Sequence, residues 1–227
     1  VRVAAKAGCT AIKFQTFKAS GVCDEKQIYT YRSQGKEITE PRINLFKRAE
    51  LPDWAWPIIK AECVKWNIAF MSTPQNPEDL DVLLTVGVPA IKIGSDDLTN
   101  EKMLRYCSAD DVRLPIILSC GMSDMAEVYR ALEITGAFEG KPVALLVCTS
   151  QYPTKLKDAN LSRITALKAA FPMVPIGFSD HTQGTLAAVV AVALGACIME
   201  KHFTLDHNMP GPDHEFSADP TTLIKWV

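Results

Sequence analysis

Short apolar runs centred on Ile12, Phe70, Ile91, Ile117, Leu145, Ile176 and Ile198 recur along the 227 residues, with amphipathic segments between them. A short apolar run suits a strand buried on both faces, and an intervening helix returns the chain so that the next strand lies parallel to the last. Helices are expected over 44–66, with a second start at Pro52–Asp53, and over 77–86, 100–107, 124–136, 160–171 and 185–194. This cadence predicts a parallel sheet covered by helices, of class α/β. Two architectures satisfy it: an open doubly wound sheet, and a (β/α)8 TIM barrel lacking its first strand in this chain. No Gly-rich dinucleotide fingerprint follows any of the runs, which weakens the open sheet. Polar residues close nearly every run, which favours the barrel, because barrel chemistry is built from all the C-terminal strand ends together. Residues 1–8 read as the last turns of a helix capped by Gly8, and 18–42 as a long polar connection of the functional or disordered kind.

Composition excludes several functions. A hydrophobic content of 48% can fill one substantial core. A formal net charge of −2 and a pI near 6.1 provide no basic surface, so neither nucleic acid nor a membrane is an expected partner. The apolar stretch 186–199 is broken by Gly195 and is too short for a membrane span. The cysteines number seven and form no Cys-x-x-Cys pair, which argues against a disulfide framework or zinc knuckle and fits the cytoplasm.

The strand ends carry the chemistry. Gly177-Phe-Ser-Asp-His-Thr182 and Glu200-Lys-His-Phe203 each lead an apolar run into charge and imidazole, with one apolar helix between them. Adjacent parallel strands lie about 4.8 Å apart, so His181 and His202 at matching ends can reach one metal ion. Lys13 and Gln15 alternate along one run and point to one side. Thr73, Lys92, Ser95, Ser119, Gly121, Thr149, Ser150 and Tyr152 sit at or just past the ends of the others. Two lysines and several hydroxyls converging on one mouth suit a phosphorylated or carboxylated anion. The competing reading of Lys92 is a buried ion pair, for example with Glu200.

Taken in order, Lys13-Phe-Gln-Thr16, Asn44-Leu-Phe-Lys-Arg48, Phe70-Met-Ser-Thr-Pro74, Ile91-Lys-Ile-Gly-Ser95, Cys148-Thr-Ser-Gln-Tyr-Pro153, the two histidine motifs and Gly211-Pro-Asp-His214 resemble the sialic acid synthase family. That family includes N-acetylneuraminate, legionaminate and pseudaminate synthases and spore-coat polysaccharide relatives. The resemblance implies a (β/α) barrel spanning 1–227 and truncated at both ends. It also implies a transferase that condenses phosphoenolpyruvate with an N-acetylated amino sugar to give a nine-carbon 2-keto acid. It implies phosphoenolpyruvate held by Lys13, Thr73, Lys92, Ser95, Ser150 and Ser179, with Gln15, Tyr152 and Asp213 at the acceptor sugar. The resemblance likewise implies that Glu200 lies beside the reacting carbons. It implies a divalent metal held by His181 and His202, Mn2+ first, with Mg2+ or Co2+ as alternatives, and a homodimer in the full-length form.

The chain departs from the family pattern in lacking an opening strand that carries a Glu and an Asn-His pair, and a C-terminal antifreeze-like domain. Adding residues before Val1 is expected to supply a strand with a carboxylate near the metal. Cys120 and His207 replace more usual residues, and Asp96 stands where a small residue is usual. Asp96 is expected to face away from Ser95 if the strand persists there. A non-catalytic sugar- or phosphate-binding remnant and a phosphoenolpyruvate aldol synthase making eight- or seven-carbon keto acids are the alternative functions.

Overall fold

Strand pairing in the computed structural model, which describes residues 1–227, divides the parallel strands between two sheets. The chain forms two compact units: Val1–Pro89 with Phe203–Lys225 and Val227, and Ala90–His202 with Trp226.

In the first unit, β1 (Ala11–Thr16) and β4 (Ala69–Pro74) pair in parallel, with Lys13 opposite Met71 and Gln15 opposite Thr73. Helix α1 (Arg2–Lys6) precedes them and ends near Gly8, whose φ of +93° agrees with the expected cap. The region 44–66 is split into α3 (Arg42–Ala49) and α4 (Ala55–Lys65). Trp56 of α4 is 1% exposed and sits edge-on to Phe14, at 6.4 Å between ring centroids, and 6.2 Å from Phe70. Helix α5 (Pro77–Val86) begins with a reciprocal cap between Asn76 and Asp79, a motif that contributes about 1 kcal/mol.

The polar connection 18–42 is structured. It contains a short helix, α2 (Ala19–Val22), and an antiparallel hairpin of β2 (Ile28–Ser33) and β3 (Lys36–Pro41). Gln34 and Gly35, at φ 54° and 72°, make the turn; two successive positive φ values give the twist that joins two strands directly.

The second unit holds a five-stranded parallel sheet in chain order: β5 (Ile91–Ile93), β6 (Ile116–Ser119), β7 (Val143–Cys148), β8 (Ile176–Asp180) and β9 (Met199–Lys201). Helices α6 (Glu101–Cys107), α7 (Met125–Ile134), α8 (Ser162–Ala170) and α9 (Leu186–Ala193) make the crossovers. All six residues of β7 are buried, as expected of a central strand covered on both faces. Helix α9 buries its small face, Ala187, Ala188 and Ala191, while Leu186, Val189 and Val192 remain exposed. Gly177 allows β8 to approach its neighbour: a Cβ there would collide with the Ile198 carbonyl and lie 2.5 Å from Leu146 Cδ2. The remaining helix, α10 (Pro220–Trp226), is capped by Asp219.

Candidate functional site

Register builds the centre of the second unit. Ser179 lies opposite Glu200 and Asp180 opposite Lys201, so His181 and His202 come directly after the ends of β8 and β9. Alternation puts Ser179, His181, Glu200 and His202 on one face of the sheet and Asp180 with Lys201 on the other. The two imidazole centroids are 5.3 Å apart. Tyr152 covers both, with its ring 4.3 Å from His181 and 5.6 Å from His202. Ser179 Oγ donates to Glu200 Oε1 at 3.5 Å.

The protonation of His181 follows from its neighbours. Burial lowers its pKa, against the opposing pull of the Thr149 carbonyl and the carboxylates of Glu200 and Asp180, so the ring is neutral near pH 7. The Thr149 carbonyl, 2.8 Å from Nδ1, can only accept, so Nδ1 carries the hydrogen and Nε2 keeps its lone pair. That tautomer can ligate a metal through Nε2. No cluster of three or more His, Cys, Asp or Glu side chains is arranged to hold an ion. The two imidazoles alone could supply two nitrogen ligands to a divalent metal.

Beside the imidazoles lies a polar cradle. Lys92, 2% exposed, donates from Nζ to the Ile93 carbonyl at 2.8 Å and to Ser119 Oγ at 2.7 Å. Gly121 N donates to Ser95 Oγ at 2.9 Å. A Cβ at Gly121 would lie 2.6 Å from Ser150 Oγ, 2.8 Å from Ser95 Oγ and 3.2 Å from Cys148 Sγ, so the cradle needs glycine at its floor. Cys148 Sγ is 3.7 Å from His181 Nδ1, and burial raises its pKa, keeping it a thiol. Under the turn, Arg163 of α8 donates from Nη2 to the Cys148 carbonyl and to Thr149 Oγ1, while its buried Nε has no hydrogen-bond partner. The expectation for Asp96 rested on a strand that ends at Ile93; residues 95 and 96 form a turn, and Asp96 is exposed.

The other predicted residues lie in the first unit. Lys13 is half-buried and Gln15 exposed on β1, while Thr73 is buried on β4. Asp213 is exposed in a loop tied to the hairpin tip: Gln34 Nε2 donates to the Asn208 carbonyl at 2.7 Å, Gly35 N to Glu215 Oε1 at 2.7 Å, and Gly211 N to Ser33 Oγ at 3.0 Å.

Sequence reasoning missed the roles of Asp180, Lys201, Arg163 and the Thr149 carbonyl. Only the first two had a signal: an acid and a base stand one residue before each histidine.

The NeuB family profile matches residues 1–227. The chain belongs to the NeuB family. One NeuB relative, the N,N'-diacetyllegionaminic acid synthase of Legionella pneumophila, is 36% identical over 232 residues, which cover all of this chain and 64% of that enzyme. The N-acetylneuraminate-9-phosphate synthase of Drosophila melanogaster is 34% identical over 226 residues, covering 97% of this chain and 59% of its own. The chain thus spans less than two thirds of either relative's length. The crystal structure of an N-acetylneuraminic acid synthetase from Leptospira borgpetersenii, in complex with citrate, matches with TM-score 0.88 and 36% identity over 99% of this chain and 73% of its own. No helix is long and apolar enough to cross a membrane.

Proposed function

We propose that the protein is a sialic-acid-type synthase with a (β/α) barrel fold, which condenses phosphoenolpyruvate with the aldehyde of an N-acetylated amino sugar. The products are a nine-carbon 2-keto sugar acid and phosphate. The observation that carries this reading is the placement of two imidazoles at adjacent strand ends beside a buried lysine and a hydroxyl cradle, in a chain of the NeuB family.

Phosphoenolpyruvate brings a phosphate and a carboxylate, and Lys92 supplies a fixed positive charge where little water screens it. Ser95, which accepts from the Gly121 N–H, together with Ser150 and Ser179, orients the anion through its hydroxyl. In the balanced reaction, C3 of phosphoenolpyruvate bonds to the aldehyde carbon, whose oxygen takes a proton. Water then adds to C2, and the C2–O bond to phosphate breaks. Glu200, on the same face as His181 and His202, is placed to move these protons or to balance positive charge at C2. Tyr152, half exposed above the imidazoles, faces where an acceptor would approach. A divalent metal bound by His181 and His202, with Mn2+ preferred, would polarise the aldehyde oxygen. The family resemblance gives Lys13 and Thr73 to phosphoenolpyruvate and Gln15 and Asp213 to the acceptor, in a cytoplasmic homodimer.

The test is phosphate release with mass-spectrometric product identification, using phosphoenolpyruvate, Mn2+ and a panel of N-acetylmannosamine, its 6-phosphate, diacetamido dideoxy hexoses, and a pentose and a tetrose phosphate. A nine-carbon keto acid from at least one acceptor is the expected result. Condensation only with pentose or tetrose phosphates would transfer the protein to the eight- or seven-carbon class. Binding without turnover on every acceptor would make it a non-catalytic remnant.

A further inference from the structure

Asp180 and Lys201 are register partners at the last rung between β8 and β9, with side chains 0% and 3% exposed and 2.8 Å apart. Every oxygen of the carboxylate is occupied. Oδ1 accepts from Thr182 N at 2.8 Å and Thr182 Oγ1 at 2.7 Å, and Oδ2 accepts from Lys201 Nζ and from Trp226 Nε1 at 3.0 Å. Lys201 Nζ also donates to the Thr182 carbonyl at 2.6 Å and lies 6.0 Å from the Trp226 ring. The pair stands one residue before each imidazole and on the opposite face of the sheet, so it is turned away from the proposed substrates.

The β8–β9 ladder pairs Phe178 with Met199, Ser179 with Glu200 and Asp180 with Lys201, and backbone hydrogen bonds from Cys197 N to the Ile176 carbonyl at 2.9 Å and from Phe178 N to the Ile198 carbonyl at 2.8 Å extend it toward its N-terminal end. The N-terminal part of the seam is set by the close approach of Gly177 to the Ile198 carbonyl. At the C-terminal end, where the ladder stops, a shift of one residue would turn Glu200 and His202 to the other face. The ion pair opposes that shift, because it would leave two desolvated charges without partners. Buried ion pairs stabilise folds poorly compared with apolar pairs of similar volume; their best-attested use is to fix register.

We propose that Asp180 and Lys201 are positioning residues, an electrostatic pin that fixes the ends of β8 and β9 so that His181 and His202 face each other with their ring centroids 5.3 Å apart. The pin acts through the imidazoles and touches no substrate. What the imidazoles hold rests on the functional reading above; that they are held together does not.

The experiment compares wild type with Lys201→Met, which keeps length and removes charge, and Lys201→Arg, which restores charge. Each is followed by near-ultraviolet circular dichroism, by long-range 1H–15N imidazole spectra, and by Mn2+ titration observed by electron paramagnetic resonance. In Lys201→Met the fold signal is expected to persist, the His181 and His202 resonances to shift or double, and Mn2+ affinity to fall at least tenfold, with Lys201→Arg recovering both. Wild-type imidazole spectra and Mn2+ affinity in a folded Lys201→Met protein would overturn the proposal and leave the pair a stability element. Wild type that binds no Mn2+ would defeat the functional reading instead, and the imidazole spectra alone would then decide the pin. Should Lys201→Met not fold, the isosteric Asp180→Asn is read in the same way. Failure of both to fold would make the pair a folding requirement and sink the positioning role.

Discussion

At the scale of single residues, charge is used where water cannot screen it. Lys92 was legible from its position at the end of an apolar run, since a lysine there must meet either an anion or a buried acid. Replacing Lys92 by Met should raise the KM for phosphoenolpyruvate about tenfold or more, roughly 1.4 kcal/mol, with a smaller change for the acceptor. Equal losses for both substrates would instead indicate general disruption of the unit. Gly121 was only part of a strand-end inventory in the sequence, because nothing in one dimension shows that Ser95 and Ser150 converge on it. Gly121→Ala places a methyl group within 2.6 Å of Ser150 Oγ. The expected result is weaker phosphoenolpyruvate binding with a melting temperature within a few degrees of wild type, measured by isothermal titration and scanning calorimetry. The Asp180–Lys201 pair was signalled only indirectly, by an acid and a base one residue before two histidines at strand ends expected to match; its burial was not legible.

The elements divide by what holds them. The parallel strands and their helices were legible because most of the strands, β5, β7 and β8 completely, are buried, so the apolar runs and the Gly and Asp caps mark their boundaries directly. The hairpin was not. Only Tyr31 of β2's large side chains is buried, and the remaining positions are polar or exposed, so a half-covered ribbon reads as a loop. Its turn uses Gln34-Gly35 where Asn-Gly or Asp-Gly would have been the recognisable signal. Three hydrogen bonds tie that tip to the loop bearing Asp213. Gly35 at φ +72° resists a branched side chain, and Gly35→Val should strain the turn by roughly 1–2 kcal/mol. If the hairpin orders the loop, the KM for the acceptor sugar rises while that for phosphoenolpyruvate stays near wild type. A rise confined to phosphoenolpyruvate would exclude the hairpin from acceptor recognition.

At the scale of the whole molecule, the net charge of −2 offers no long-range attraction for a ligand with several negative charges. Binding must therefore come from positive groups set within the fold, such as Lys92 at 2% exposure, with Arg163 held under the adjacent turn. Salt screens exposed charges over about 8 Å at physiological ionic strength and affects buried ones much less. Composition and burial together thus predict a weak salt dependence. Raising ionic strength from about 0.05 M to about 0.5 M should change kcat/KM for phosphoenolpyruvate by less than roughly fivefold, with Mn2+ held saturating so that metal loss does not intrude. A decline of a hundredfold would mean that exposed cations recruit the substrate, and the buried cradle around Lys92 would no longer account for its binding.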